Sequence, residues 1–173
     1  MVLIFDELKK ISTMAWGKIY HKKLFKNIRY PLGKYHEDVF TTYKLIHLSN
    51  RVVVTNELGY VYRDNASSIM NEKFSLKRLH AIDGKIEQAS FIAENYPELI
   101  AEANAGIIYA CNVCLQQMGR CSFEDKKIDG EIKCLYKRYW RDYLKAKVSI
   151  RGKIFTLVAR FSYRFAKKIS KYI

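Results

Sequence analysis

The feature that most constrains the fold is the uneven distribution of strand-like and helical sequence along the chain. The run Val52-Val53-Val54, within residues 51–55, is apolar and β-branched, as is typical of a strand in a buried sheet. Residues 15–20 and 58–63 also favour strands. Everything after them is helical in pattern. Because a stable sheet usually has about five or six strands, these segments predict an incomplete sheet that joins another chain or belongs to a larger fold.

Helical periodicity accounts for most of the other residues. Ser75 is a predicted N-cap, and Pro97 and Gly119 are predicted to stop helices. The fold class predicted from the pattern is α/β, in the form of an α+β fragment, with three parts at residues 1–72, 73–147 and 148–173. The expected helices cover residues 1–14, 37–48, 75–95, 98–118, 125–147 and 150–172.

Basic residues are concentrated in the last quarter of the chain. The whole sequence has 31 Lys and Arg against 17 Asp and Glu, a net charge of +14. Most of that excess lies after residue 130. The distribution indicates that one end of the molecule meets an anionic surface, for which nucleic acid and acidic lipid headgroups are both candidates.

Residues 150–172 predict a basic amphipathic helix. Its apolar residues, from Ile150 to Tyr172, share one arc, and its Lys and Arg residues lie on the adjacent arc. Two interpretations remain open: the helix lies in the interface of an acidic membrane, or it packs on the body with a solvated basic face. No nucleic-acid partner is expected, because neither a recognition helix nor a sheet with exposed aromatic residues is evident.

The sequence also predicts a cellular location. No segment has the roughly 18 uninterrupted apolar residues of a membrane span. The first apolar residues are followed directly by Asp6 and Glu7, and they have neither the basic segment nor the small-residue cleavage site of a secretion signal. We therefore expect a cytoplasmic protein with reduced cysteines, peripheral to the inner face of the cell membrane through its tail.

Six short sequence blocks carry a family resemblance. In this order and spacing they resemble the C-terminal half of family 2 glycosyltransferases with the GT-A fold, of the bacterial capsule, exopolysaccharide and cell-wall polysaccharide type, over roughly residues 13–95. The resemblance implies that residues 1–72 are the acceptor-side, C-terminal portion of a GT-A catalytic domain with part of its sheet, followed by a helical extension over 73–147 and the basic amphipathic helix over 148–173. The blocks are Ala15-Trp-Gly-Lys-Ile-Tyr, Lys23-Leu-Phe, Ile28-Arg-Tyr-Pro, Gly33-Lys-Tyr-His-Glu-Asp-Val-Phe, Tyr60-Val-Tyr-Arg and Ser67-Ser-Ile-Met.

The resemblance also implies a set of site residues. Asp38 would be the base that deprotonates the acceptor hydroxyl during inverting transfer from a nucleotide-sugar, and Glu37 would position it or contact the acceptor. His36 and Arg63 would stabilise the leaving diphosphate, and Trp16 would form a platform for a sugar ring. Each has a structural alternative: acidic residues stabilise helix starts, and Trp16 could belong to a core.

The chain departs from the resembled family in one large respect. It contains no Asp-x-Asp motif, which would ligate the divalent Mn or Mg expected for the complete enzyme, and the nucleotide-binding half is missing before Trp16. We therefore expect the chain alone to be catalytically incomplete, with that half as a partner. The alternative function is a non-catalytic module, derived from such an enzyme, whose helices bind a membrane or a partner.

The four cysteines raise the question of a metal site. Cys111 and Cys114, with Cys121 and Cys134, could form a four-thiolate zinc site. The first pair lies in an apolar helical segment and the second pair is widely spaced, so the prediction favours buried free thiols and no metal.

Overall fold

The chain forms two compact units, Met1–Glu72 and Lys73–Ile173. In the computed structural model the described residues are 1–5, 13–61, 63 and 74–172, and for residues 2–5 only the backbone is described. The functional meaning of the three predicted parts, 1–72, 73–147 and 148–173, stays a prediction.

The described residues of the first unit form one small sheet, one α-helix and a 3₁₀ turn at Lys22–Phe25. The strands are β1 (Val2–Phe5), β2 (Lys18–Tyr20) and β3 (Val52–Thr55), in the order β2-β1-β3. β1 runs antiparallel to β2, with Val2 opposite Tyr20, and parallel to β3, with Val2 opposite Val52. Helix α1 (Glu37–His47) contributes nearly all of the unit's buried side chains among the described residues.

The structure contradicts the predicted fold class. The described residues are mostly helical, and their strands are three or four residues long, so they do not form the C-terminal part of a GT-A type sheet. The helix predicted over residues 1–14 is wrong for residues 2–5. The backbone of this apolar segment pairs with the valine run of β3 instead. Residues 6–12 lie outside the described part of the chain. The strand predicted over 58–63 is absent from residues 58–61 and 63.

The second unit is a bundle of five helices. They are α2 (His80–Asn95), α3 (Ile100–Arg120), α4 (Lys126–Lys145), α5 (Ile150–Phe161) and α6 (Tyr163–Ile169). Short 3₁₀ turns at Leu76–Leu79, Pro97–Leu99 and Ser170–Tyr172 flank them. Their shared core includes Ile107, Ile108, Leu115 and Met118 of α3, none of which has any exposed surface. Helix α3 is therefore the central element of the unit.

A buried polar network crosses this core. The Asn112 side chain donates from Nδ2 to Thr156 Oγ1 at 3.1 Å and accepts at Oδ1 from the Tyr136 hydroxyl at 2.7 Å. Because buried polar groups are costly unless they are paired, the network fixes the relative positions of α3, α4 and α5.

The predicted helix boundaries need two corrections. Ser75 does begin the first helical turn, but its side chain makes no capping hydrogen bond, and α2 itself begins at His80. Gly119 does not stop α3, which continues to Arg120.

The predicted single helix over 150–172 is also wrong. The backbone of Ser162, with φ −138° and ψ 75°, leaves the helical region and separates α5 from α6. The break lets Phe155 and Ala159 of α5, and Tyr163 and Ala166 of α6, all pack into the core. One face of the tail therefore belongs to the bundle.

By length and composition alone, one helical stretch of the described residues, Pro97–Arg120, could cross a membrane. A central core helix satisfies the same criterion, and α3 carries much of the buried surface of its unit.

Candidate functional site

The candidate site is built around the first turn of α1. His36 precedes the helix with a left-handed backbone, at φ 57°, and its carbonyl accepts a hydrogen bond from the Val39 N–H at 3.0 Å. Asp38 Oδ1 accepts from the same N–H at 2.8 Å, and the Thr41 hydroxyl donates to the Glu37 carbonyl at 3.0 Å. Acidic residues suit this turn because the unpaired N–H groups give it a partial positive charge.

The Asp38 carboxyl has a raised pKa. Burial is the largest cause, and the neighbouring Glu37 carboxylate adds to it, while the Val39 N–H and His36 act in the opposite direction. A carboxylate with a raised pKa is a stronger base than an ordinary aspartate. The structure therefore brings Glu37 and His36 to Asp38, and the balance of their effects favours proton acceptance by Asp38.

Two tyrosines belong to the same neighbourhood and were not predicted from the sequence. Burial raises the pKa of Tyr20 and of Tyr30; each also affects the other, and the Asp38 carboxylate raises both. Thr42, one turn after Asp38, influences both tyrosines and donates to the Thr13 carbonyl at 2.6 Å. The signal that could have found them is the density of aromatic residues between positions 16 and 43.

Trp16 lies outside the core. It is 42% exposed and stacks on Tyr60, with ring centroids 5.3 Å apart and planes 15° from parallel. Aromatic surfaces of this kind suit the apolar face of a sugar ring. Arg63 is exposed, and His36 is partly buried at the start of α1. The ligand roles predicted for these three residues stay predictions.

The described residues do not fit a metal site. In the described ranges, which omit 6–12, 62, 64–73 and 173, no three His, Cys, Asp or Glu side chains are grouped closely enough to hold an ion. Cys111 and Cys114 are buried in the helical core, whereas Cys121 and Cys134 are exposed. Burial raises the pKa of Cys114 to about 12, so its thiol stays protonated.

Comparison with known proteins gives one similarity. Over 105 residues the chain is 32% identical to "Glycosyltransferase GlyA" of Streptococcus pneumoniae serotype 4 (strain ATCC BAA-334 / TIGR4), a match that covers 56% of this chain and 15% of GlyA. The chain therefore spans only a small part of the length of this relative. No family model and no solved structure matches the chain. The chain is a distant homologue of part of a glycosyltransferase.

Proposed function

We propose that this chain is the acceptor-side part of a glycosyltransferase, one that transfers a sugar from a nucleotide-sugar to a saccharide or lipid-linked acceptor. The observation that carries the proposal is the similarity to GlyA over 105 residues. Membership of family 2, inversion at the sugar and a role in capsule or other surface-polysaccharide assembly are parts of the same proposal. They are supported by the ordered blocks between residues 15 and 70.

Asp38 is the base in the proposed reaction. Its carboxylate takes the proton of the acceptor hydroxyl while that oxygen forms a bond to the anomeric carbon. The bond from that carbon to the donor's diphosphate breaks, the electron pair leaves with the nucleotide, and the configuration inverts. The raised pKa of Asp38 supports this role, since general base catalysis is worth about 10²–10⁴-fold and improves with basicity.

The residues around Asp38 have supporting roles. Burial is the largest cause of the raised Asp38 pKa, and Glu37 adds to it. The Tyr30 hydroxyl offers a hydrogen bond to an acceptor, whereas the neighbouring Tyr20 hydroxyl is buried. Trp16 and Tyr60 form the sugar platform, while His36 and Arg63 contact the diphosphate. The donor's divalent Mn or Mg would be held elsewhere in the complete enzyme.

The test is calorimetric titration with UDP-, GDP- and TDP-linked sugars in the presence of Mn²⁺ or Mg²⁺. The samples are the 173-residue chain alone and the chain mixed with any nucleotide-binding polypeptide that is encoded directly upstream. We expect binding and sugar release only in the mixture. Asp38→Asn should lower turnover about 10²–10⁴-fold and leave binding unchanged, whereas absence of binding in both samples would refute the enzyme function.

We also propose that the tail attaches the protein to the inner face of the cell membrane. The observation behind this proposal is a set of apolar side chains in the tail that the bundle does not cover. Other side chains of α5 and α6 are packed in the core. Within α5, positions 150, 154 and 161 recur at intervals of four and seven residues, as the apolar face of an interfacial helix does, and position 165 lies on α6. The exposed residues are Ile150, Ile154, Phe161, Phe165 and Tyr172.

Vesicle sedimentation tests this attachment. The chain should bind vesicles rich in phosphatidylglycerol and should not bind pure phosphatidylcholine vesicles. The double variant Phe161→Ser with Phe165→Ser should lose about tenfold or more of this binding. The matched control is Leu32→Ser with Leu58→Ser, two apolar residues outside the tail that are even more exposed than Phe161 and Phe165. Equal binding by both variants would refute attachment through the tail.

The calorimetric titration and the vesicle sedimentation together decide between the two functions. A chain that binds acidic vesicles but never binds a sugar-nucleotide, even in the mixture, would be the non-catalytic module. A chain that does both would be a membrane-attached transferase.

A further inference from the structure

A basic cleft lies in the helical unit, Lys73–Ile173, whereas the residues used in the proposed reaction belong to Met1–Glu72. It opens between α4, α6 and the loop that joins α3 to α4, with a volume of about 790 Å³. Ligand-binding pockets have volumes of roughly 300–1,000 Å³. We call it the lysine cleft; its basic lining residues are Lys126, Lys133, Arg164, Lys167, Lys168 and Lys171.

Helical spacing places these cations on two facing walls. Lys126 and Lys133 are seven residues apart on α4, so they lie on one face of that helix, and Asp129 lies between them. Arg164, Lys168 and Lys171 recur at intervals of four and three residues along α6 and the turn that follows it. Each wall of the lysine cleft therefore presents a stripe of positive charge.

Asp129 fixes the two walls relative to each other. Its Oδ1 accepts from the Tyr163 hydroxyl at 2.9 Å and from Lys167 Nζ at 2.8 Å, and its Oδ2 accepts from the same Nζ at 2.9 Å. The pair is mostly buried, with side chains 14% and 20% exposed for Lys167 and Asp129. Asp129 and Lys167 thus neutralise each other and orient the walls.

Five cations of the cleft remain without a carboxylate partner. Among the described residues, Lys126, Lys133, Arg164, Lys168 and Lys171 form no ion pair. Lys133 Nζ lies 5.0 Å from the centre of the Tyr163 ring, which is a weaker contact than an ion pair. The neighbouring positive charges repel one another, and a bound anion would relieve that repulsion.

The acidic residues of the lining do not cancel this charge. The three are Glu124, Asp125 and Asp129, against six basic residues. Asp125 is the N-cap of α4, and its Oδ1 already accepts from the Lys127 and Ile128 N–H groups at 2.9 Å and 3.0 Å. The lining also includes the apolar side chains of Met118 and Phe123. A ligand with a phosphate group and an attached organic part matches both halves of the lining.

We propose that the lysine cleft binds a phosphate-bearing ligand. Lysine ammonium groups bind phosphate as point charges, and Arg164 adds a planar pair of donors. This site lies outside the transferase chemistry and stands whether or not the chain takes part in sugar transfer. The phosphate has two possible sources, a soluble phosphorylated compound or a lipid headgroup, and the experiment separates them.

The test uses the full chain at physiological salt with three probes. Inorganic pyrophosphate and UDP are titrated by calorimetry, and vesicles of phosphatidylcholine with or without phosphatidic acid are used in sedimentation. The variant is Lys168→Glu with Lys171→Glu, two exposed residues of the cleft. The matched control is Lys137→Glu with Lys145→Glu, two exposed residues of α4 outside the cleft, which changes the net charge by the same amount.

The expected result is binding of at least one probe by the unmodified chain, weakened about tenfold or more by the cleft variant and about twofold or less by the control. Binding of pyrophosphate or UDP identifies a soluble source, and binding of phosphatidic acid vesicles alone identifies a lipid headgroup. Equal losses in the two variants would mean attraction by overall charge and would overturn the proposal. Absence of binding to all three probes would overturn it as well.

Discussion

The two units of the chain differ in where their buried side chains come from. In Lys73–Ile173 the buried hydrophobic cluster draws on all five helices, α2 to α6. In Met1–Glu72 the buried side chains of the described residues come almost entirely from α1. The first unit holds the carboxylates and tyrosines of the candidate site, and the second holds the densest packing. The candidate catalytic residues therefore belong to the unit with the smaller core, as functional segments often do.

The largest expected effect comes from Asp38→Asn in the first unit. The amide keeps the shape of the side chain but cannot take a proton, so sugar transfer by the reconstituted enzyme should fall about 10²–10⁴-fold. Turnover measured in the mixture of the chain with its nucleotide-binding partner checks this. Unchanged turnover would mean that Asp38 is not the base and that the first unit does not carry the catalytic step.

The same substitution has an expected effect on stability. Because burial raises the pKa of Asp38, the folded unit favours the protonated carboxyl, and stability is lost as pH rises through that pKa. Asp38→Asn should therefore be more stable than the unmodified chain at neutral pH, with the difference disappearing in acid. Thermal unfolding at several pH values measures it, and a difference that grows in acid would contradict the raised pKa.

Matched leucine deletions compare the two cores directly. Leu115 of α3 and Leu45 of α1 both have no exposed surface. Leucine to alanine in a core costs about 2–5 kcal/mol, depending on how far the surroundings can collapse. We expect Leu115→Ala near the upper end and Leu45→Ala near the lower end. Hydrogen exchange read separately for each unit gives both values, and a larger cost for Leu45→Ala would reverse the comparison.

A pair of glycine substitutions sharpens the description of the second core. A Cβ on Gly119 would overlap Ser170 Oγ and lie 2.8 Å from the Lys167 carbonyl oxygen, so Gly119→Ala should destabilise by about 1–3 kcal/mol. Gly130, in α4, has open space around its Cβ position, and Gly130→Ala should stabilise by up to about 1 kcal/mol. Denaturant unfolding of both variants tests the opposite signs, and two losses of equal size would contradict the close approach at Gly119.

The smallest expected effect comes from Tyr136→Phe. This change removes the hydroxyl that donates to Asn112 Oδ1, while Thr156 still contacts the same oxygen at 3.4 Å. The expected cost is about 0.5–1.5 kcal/mol. Tyr109→Phe, at an exposed position of α3, should cost almost nothing. Denaturant midpoints measure both, and equal values would mean that the buried network adds no stability.

Local signals in the sequence predicted several elements correctly. The helix predicted over 37–48 is α1, the strand predicted over 51–55 contains β3, and the helix predicted over 125–147 contains α4. Each has its signal within a few residues: acidic residues in a first turn, a β-branched run, or an N-cap aspartate. The start of α1, with Glu37 and Asp38 in its first turn, was therefore predictable.

Features that depend on distant parts of the chain were not predictable. Residues 2–5 form a strand because they pair with residues 52–55. That partner is about fifty positions away, and no local pattern specifies the pairing. Likewise, Tyr20 and Tyr30 meet Asp38 only through the tertiary fold. The break at Ser162 is another case: the periodicity runs through it, and packing of Tyr163 into the core decides it.

The strand order also determines when the sheet can form during synthesis. The middle strand, Val2–Phe5, is made about fifty residues before its parallel neighbour, Val52–Thr55, which follows the whole of α1. Helix pairs such as α2 with α3 and α3 with α4 join neighbours in sequence and can close as soon as both members are made. One edge of nascent residues 2–5 can pair with β2 soon after synthesis, but the other edge stays unpaired until β3 is made, and a chaperone or a co-translational partner has that interval in which to reach it.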